Sequence, residues 1–215
     1  MEENSLLKEI SIILLASAIL GISYSYPNQI KYIPLYISFF LVIIAVNVLA
    51  KKYAAYYFEA EANTKFWSIY QYYFKRSAHF KTPIYMLWFP LFLSIFSKGY
   101  LFWMPILEFE IKPKIERVAR RHEGLFRFTE MTEWHIALII MWGIIANIAL
   151  SIVTYFLGGY IPQGELLSKL SIFYVLWSLL PISSLDGTKL FAGSRPLWFS
   201  ILVIVAVFLF FGAML

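Results

Sequence analysis

Six apolar runs, each close to the length of a bilayer crossing, limit what this chain can fold into. They occupy residues 9–26, 31–51, 84–107, 134–157, 165–185 and 197–215, and nearly all the charge lies between them. A hydrocarbon core of ~30 Å requires ~20 residues of helix, so this spacing predicts a polytopic α-helical membrane protein. Composition agrees: 60% of the 215 residues are hydrophobic, above the ~45–50% of soluble domains. Mean hydropathy is +0.70. The first run is too long for a signal peptide and lacks a small-residue cleavage site, so it reads as a retained span. The chain reads as one membrane domain, 1–215, with a core at 33–187 and peripheral spans at 9–26 and 197–215.

Charge sets the expected orientation. The net charge is +5, and the basic residues flank apolar runs instead of forming a nucleic-acid patch, so no nucleic-acid partner is expected. Lys51, Lys52, Lys65, Lys75, Arg76 and Lys81 form one cluster; Lys112, Lys114, Arg117, Arg120, Arg121 and Arg127 form another. The positive-inside rule puts both in the cytoplasm. That requires 84–107 to turn back at Ser97-Lys98-Gly99 as a re-entrant hairpin. Lys31 and Lys169 then lie near the outer face.

Between the second and third runs the pattern changes. Segment 64–74 holds Phe66, Trp67, Ile69, Tyr70, Tyr72, Tyr73 and Phe74, a composition that favours extended strand at the membrane interface. Its edge is expected to pair with an extended partner segment. Residues 108–133 read as a charged, partly helical loop, and 186–196 as a short turn. Five to six spans, a re-entrant hairpin and a small interfacial β-segment make up the predicted fold.

Two polar residues mark a site. Asn47 and Lys51 stand four residues apart near the end of the second run, on one face of a helix. A polar pair placed so in lipid reads as functional or paired by default. Near the other end of the chain, Asp186-Gly187 follows the fifth run; alone, such a dipeptide is ordinarily a turn. Cysteine is absent, which removes disulfides, thiolate metal sites and cysteine nucleophiles. His79, His122 and His135 have no partner at metal-ligand spacing, and Glu59 and Glu61 read as surface charges. No G-x-S-x-G, Gly-rich phosphate loop or intramembrane carboxylate pair is present.

The stretch Asn47-Val48-Leu49-Ala50-Lys51-Lys52-Tyr53-Ala54-Ala55 resembles the H-E-L-A-H-K-x-x-A helix of the site-2 proteases, intramembrane zinc metalloproteases. Asn47 and Lys51 stand at the two histidine positions and Val48 at the general-base glutamate. Residues Ser178-Leu179-Leu180-Pro181-Ile182-Ser183-Ser184-Leu185-Asp186-Gly187 resemble the family's N-x-x-P-x-x-P-L-D-G. There Asp186 matches the third zinc ligand, Pro181 and Gly187 also match, and Ser178 and Ser184 depart. Gly143 and Asn147 fall where the family has A-G-P-x-x-N, with Trp142 and Ile144 departing. Residues 60–67 are similar to the A-x-A-E-F-R-x-W tail of archaeal members, Lys65 and Trp67 in register.

The resemblance implies a site-2 protease core whose chemistry has been lost. A catalytic zinc requires three ligands from His, Asp, Glu or Cys and an open position, so no metal, cofactor or catalytic residue is expected. The expected protein is a pseudoprotease that binds single-span membrane proteins or extended peptides as regulator or scaffold, in contact with the lipid bilayer of the cell membrane. A small transporter or channel component with a polar Lys51/Asp186 path is the rival, and a residual membrane metallopeptidase the third reading. Lys51 is expected to pair with Asp186 in place of the metal, with Asn47 adding a hydrogen bond; the simpler alternative has Lys51 snorkelling beside Lys52.

Overall fold

A computed structural model describes residues 2–27, 29–71, 79–114, 131–158, 160 and 163–214. The described chain is mostly helical with a small β part. Helix α1 (Glu2–Ser25) is followed by a single 3₁₀ turn and α2 (Ile33–Tyr57). Proline near the first position of α2 fits the helix start, where an N–H has no intrahelical acceptor. The helix runs on past Lys51 as its uninterrupted sequence predicts, and the chain breaks at Glu59 with φ of 53°. Strands β1 (Ala60–Phe66) and β2 (Ser68–Gln71) come next, then β3 (His79–Tyr85), α3 (Phe89–Phe96) and β4 (Leu107–Pro113). The remainder is helical: α4 (Glu133–Phe156), α5 (Gly164–Ser178), α6 (Asp186–Gly193) and α7 (Arg195–Met214).

Among the described residues, three stretches are helical, long and apolar enough to cross a membrane: Leu6–Ser25, Ile30–Tyr57 and Glu133–Phe156. The expected five to six are therefore matched by three. Helix α5, at 15 residues, reaches only ~22 Å, and in α7 the described apolar stretch is Arg195–Phe210. Helices α1, α2, α4 and α5 pack in succession, with α6 against α4. Phe40, Ile43, Ile44, Ile140, Ile144 and Val175 are fully buried at their centre.

The turn expected at Ser97-Lys98-Gly99 is present, with Lys98 and Gly99 at φ of 52° and 81°. Its first limb is the eight-residue α3, ~12 Å long and far short of a crossing. Ser23 and Ser94 fasten α3 to α1: Ser23 Oγ donates to Pro90 O at 2.9 Å and Ser94 Oγ to Ser23 O at 2.7 Å.

Three sequence expectations need correction. The interfacial strand begins at Ala60 and divides at Trp67 into two, β1 pairing with β4 and β2 with β3, both antiparallel. The rest of that expectation, at Tyr72, Tyr73 and Phe74, lies outside the described residues. The start of the charged loop is strand β4. Leu107, Phe109 and Ile111 alternate with Glu108, Glu110 and Lys112, a period of two that buries one face and solvates the other. Residues 115–130, with Arg117, Arg120, Arg121, His122 and Arg127, lie outside the described residues. Finally, 186–193 is a helix instead of a turn.

Register gives the sheet its two edges. Trp67 N–H donates to Ile106 O at 2.8 Å and Lys114 N–H to Glu59 O at 3.0 Å, so these are hydrogen-bonded pairs. Counting alternately inward, Thr64↔Phe109 and Ala62↔Ile111 are non-hydrogen-bonded pairs, whose N–H and C=O groups point away from the partner strand.

Candidate functional site

Lys51 and Asp186 meet at the centre of the molecule. Nζ of Lys51 donates to Oδ2 of Asp186, and the two side chains are 0% and 8% exposed. This is the expected pair, and full burial excludes the snorkelling geometry. Helix α2 supplies Lys51, and the first residue of α6 supplies Asp186, where the partial positive charge of the helix N-terminus favours a carboxylate. Above the pair lies β4: Lys51 Nζ sits 3.6 Å from the centroid of the Phe109 ring. The ring's negative face adds a second attraction for the ammonium in a desolvated setting.

Two glycines make the approach possible. A Cβ on Gly143 of α4 would fall 2.5 Å from Lys51 Cε, 2.8 Å from Lys51 Cγ and 3.1 Å from Asn47 O. Gly143 therefore marks the channel through which the lysine stem passes. A Cβ on Gly187 would run into the backbone of Leu179 and Leu180, so this glycine lets α6 start directly beneath the end of α5. Ser178 spends its hydroxyl on Tyr174 O of its own helix at 2.8 Å, and Pro181 is exposed in the connection.

Asn47 departs from expectation. Its side chain is buried, and neither its oxygen nor its nitrogen has a hydrogen-bond partner among the described residues; it gives no bond to Asp186. Asn147 is in the same condition, though its backbone oxygen accepts from Ser171 Oγ at 2.9 Å. Val48, at the general-base position, belongs to the apolar core. Asp186 Oδ1 also lacks a partner among the described residues.

These residues do not fit zinc. The ammonium of Lys51 stands against the one carboxylate that matches a zinc ligand, Asn47 and Val48 replace the other required groups, and a cation there would face a like charge. His135 is engaged elsewhere, closing a capping box with Thr132 at the start of α4. The side chain of His79 lies outside the described residues.

Around this pair are residues that the sequence reading passed over. Lys189, one turn beyond Asp186 on α6, donates from Nζ to Phe109 O, and Ser184 Oγ donates to Glu108 Oε2 at 2.5 Å. Glu9 of α1, 8% exposed, accepts from Lys52 Nζ and from Thr64 N–H at 3.1 Å. At Thr64, the first residue of the segment expected to offer a free edge, the outward N–H of β1 is thus taken; positions 72–74 of that segment lie outside the described residues. Beside β4 a cavity of about 400 Å³ is lined by Glu108, Phe109, Ile111, Glu133, Ser184 and Lys189, among others. Its signals in the sequence were the L-E-F-E-I-K alternation and a lysine three residues after the aspartate. On the solvated face of the sheet, hydrogen bonds from Lys65 and then Lys112 hold the Glu110 carboxyl at about 2, below its ordinary 4.5.

Comparison with known proteins gives no relative: no family model, no curated protein and no solved structure matches this chain.

Proposed function

We propose that this chain is a non-hydrolytic membrane protein with a site-2 protease-like core, which receives extended peptide segments or single-span membrane proteins as regulator or scaffold. The observation that carries the reading is the buried Lys51–Asp186 pair. It joins two helices at the positions where the resembled family places a metal, and Gly143, from the third resembling stretch, packs on the lysine stem. Three separate resemblances thus converge on one point in space. The sealed pair speaks against a polar conduction path, since Lys51 has no exposed surface. In this reading five to six segments enter the bilayer, α3 dips in as a hairpin, and the sheet with both basic clusters faces the cytoplasm.

The receiving surface is the groove between β4 and α6. An extended segment gains main-chain hydrogen bonds from a strand edge with little demand on its sequence, which suits a protein that holds without cutting. The test is photo-crosslinking of the full chain in lipid nanodiscs with a fluorescein-labelled decapeptide of alternating threonine and valine. A benzophenone residue at Ala192, which lines the groove, should capture the peptide intact, while one at Phe208 on α7 should not. Cleaved peptide, or equal capture at both positions, would overturn the reading.

A further inference from the structure

The two outer edges of the β1–β4 sheet are both closed by side chains, and the two closures differ in kind. On β1 the outward Thr64 N–H is taken by Glu9, a nearly buried carboxylate held in turn by Lys52. That cap acts as a carbonyl of a third strand would, and it is anchored from two sides. On β4 the outward Phe109 C=O is taken by Lys189, which acts as a third strand's N–H would. Lys189 is only half-buried, and it stands at the wall of a cavity of about 400 Å³.

The outward groups of Leu107, Phe109 and Ile111 follow from the register. An extended segment entering the groove therefore meets a row of backbone groups in which Phe109 O, the one at the centre, is already bonded. An amide of the segment would reach Phe109 O from the same outward side as the ammonium and compete with it there.

We infer that Lys189 is a built-in plug of the β4 edge: its ammonium holds the hydrogen bond that an incoming extended segment would make to Phe109 O, and docking of such a segment displaces it. The inference rests on the proposed segment-binding role and adds a self-competing contact to it. The displaced lysine stays on the same face of α6 as Asp186, three residues away, whose Oδ1 lacks a partner among the described residues. Release from Phe109 therefore leaves the ammonium beside an acceptor. Phe109 is the shared member, with its carbonyl on the plug and its ring over Lys51.

The experiment measures binding of the same threonine–valine decapeptide, by fluorescence anisotropy, to the full chain in nanodiscs. Three proteins are compared: the unaltered chain, Lys189→Met, which keeps the stem and removes the donor, and Lys189→Arg, which keeps a donor. A charge-assisted hydrogen bond that must be broken weakens binding by roughly ten- to a hundredfold. Lys189→Met should therefore bind at least about tenfold tighter than the unaltered chain, and Lys189→Arg within about twofold of it. A decapeptide N-methylated at alternate residues should bind Lys189→Met no better than it binds the unaltered chain, because it cannot supply the amide that replaces Nζ. Lys189→Ala serves as a second unplugged variant should the methionine protein fail to fold. Peptide binding that is present and equal in the unaltered and unplugged proteins overturns the plug and leaves segment binding standing. No binding by any of them overturns both.

Discussion

Removing either partner of the central pair should cost far more than removing both. In Lys51→Met the Asp186 carboxylate remains almost fully buried with neither oxygen bonded to a described residue. In Asp186→Leu the ammonium is left with only the face of Phe109. Breaking a buried pair from one side costs ~3–5 kcal/mol, because a desolvated charge is orphaned. For Lys51→Met the lost contact with the Phe109 ring adds up to ~2 kcal/mol. The double variant orphans nothing, and replacing both by apolar groups of similar size is neutral or mildly stabilising by this logic. The single costs should therefore sum to ~6–12 kcal/mol while the double lies within ~2 kcal/mol of the unaltered chain. The coupling energy would then approach the sum of the two single costs.

The assay is denaturant unfolding of all four proteins in one detergent, followed by tryptophan fluorescence. Two near-zero single effects that simply add would refute the reasoning, because an exposed pair contributes only ~0–1 kcal/mol. Lys51 would then reach solvent, and the argument that an ion pair stands in for a metal would fall with it.

Gly143→Ala should destabilise the unaltered chain by ~1–3 kcal/mol, since its Cβ would meet the Lys51 stem at 2.5 Å; in a Lys51→Ala background, the same melts should show that cost largely relieved. Replacing Asn47→His, Val48→Glu and Lys51→His together should create a site that takes up zinc with Asp186, read by elemental analysis after dialysis, whereas the unaltered chain should retain none at stoichiometric level. The Glu110 carboxyl, held at about 2 by Lys65 and Lys112, contributes stability that is fully present above about pH 4.5 and is lost as pH falls through about 2. With a side chain one-third exposed the effect is screened to ~0.5 kcal/mol, and melts of Glu110→Gln against the unaltered chain between pH 7 and pH 2 should converge by that amount.

What the sequence discloses here depends on the range of the interaction that fixes each part. Helices α1, α2 and α4 are written in uninterrupted apolar runs, so their existence follows from burial alone. The Lys51–Asp186 pair was legible because a lysine one turn beyond Asn47 and an aspartate, each at the end of an apolar run, have few other ways to be satisfied once buried. Strand β4 was hidden by its charge: Glu108, Glu110 and Lys112 made it read as a loop, although Leu107, Phe109 and Ile111 between them carry the period of a strand. The sheet face is solvated, so it tolerates those charges. Asn47 was assigned a hydrogen bond that its geometry does not make. Distance along a helix places a side chain on a face, but which atom it meets depends on the helix opposite, and here Gly143 gives the space to Lys51.

Phe109 shows why the strand matters more than its length suggests. Its ring lies over the ammonium of Lys51 and its carbonyl binds that of Lys189, so one residue joins the sealed centre to the open groove. Both edges of this sheet border cavities, but the β1 edge is held at Thr64 by the nearly buried Glu9, itself bonded to Lys52, whereas the β4 edge is held at Phe109 by the half-buried Lys189. A segment paired along β4 would draw on the backbone of Phe109 while the ring kept its place above Lys51. Phe109→Leu should separate these roles. The backbone acceptor is retained, so decapeptide affinity should stay within about threefold of the unaltered chain, whereas loss of the ring should lower stability by ~1–2 kcal/mol beyond the change in packing. A matching loss in Lys51→Met/Asp186→Leu, where no ammonium remains to face the ring, would refute the assignment of that stability to the cation–ring contact.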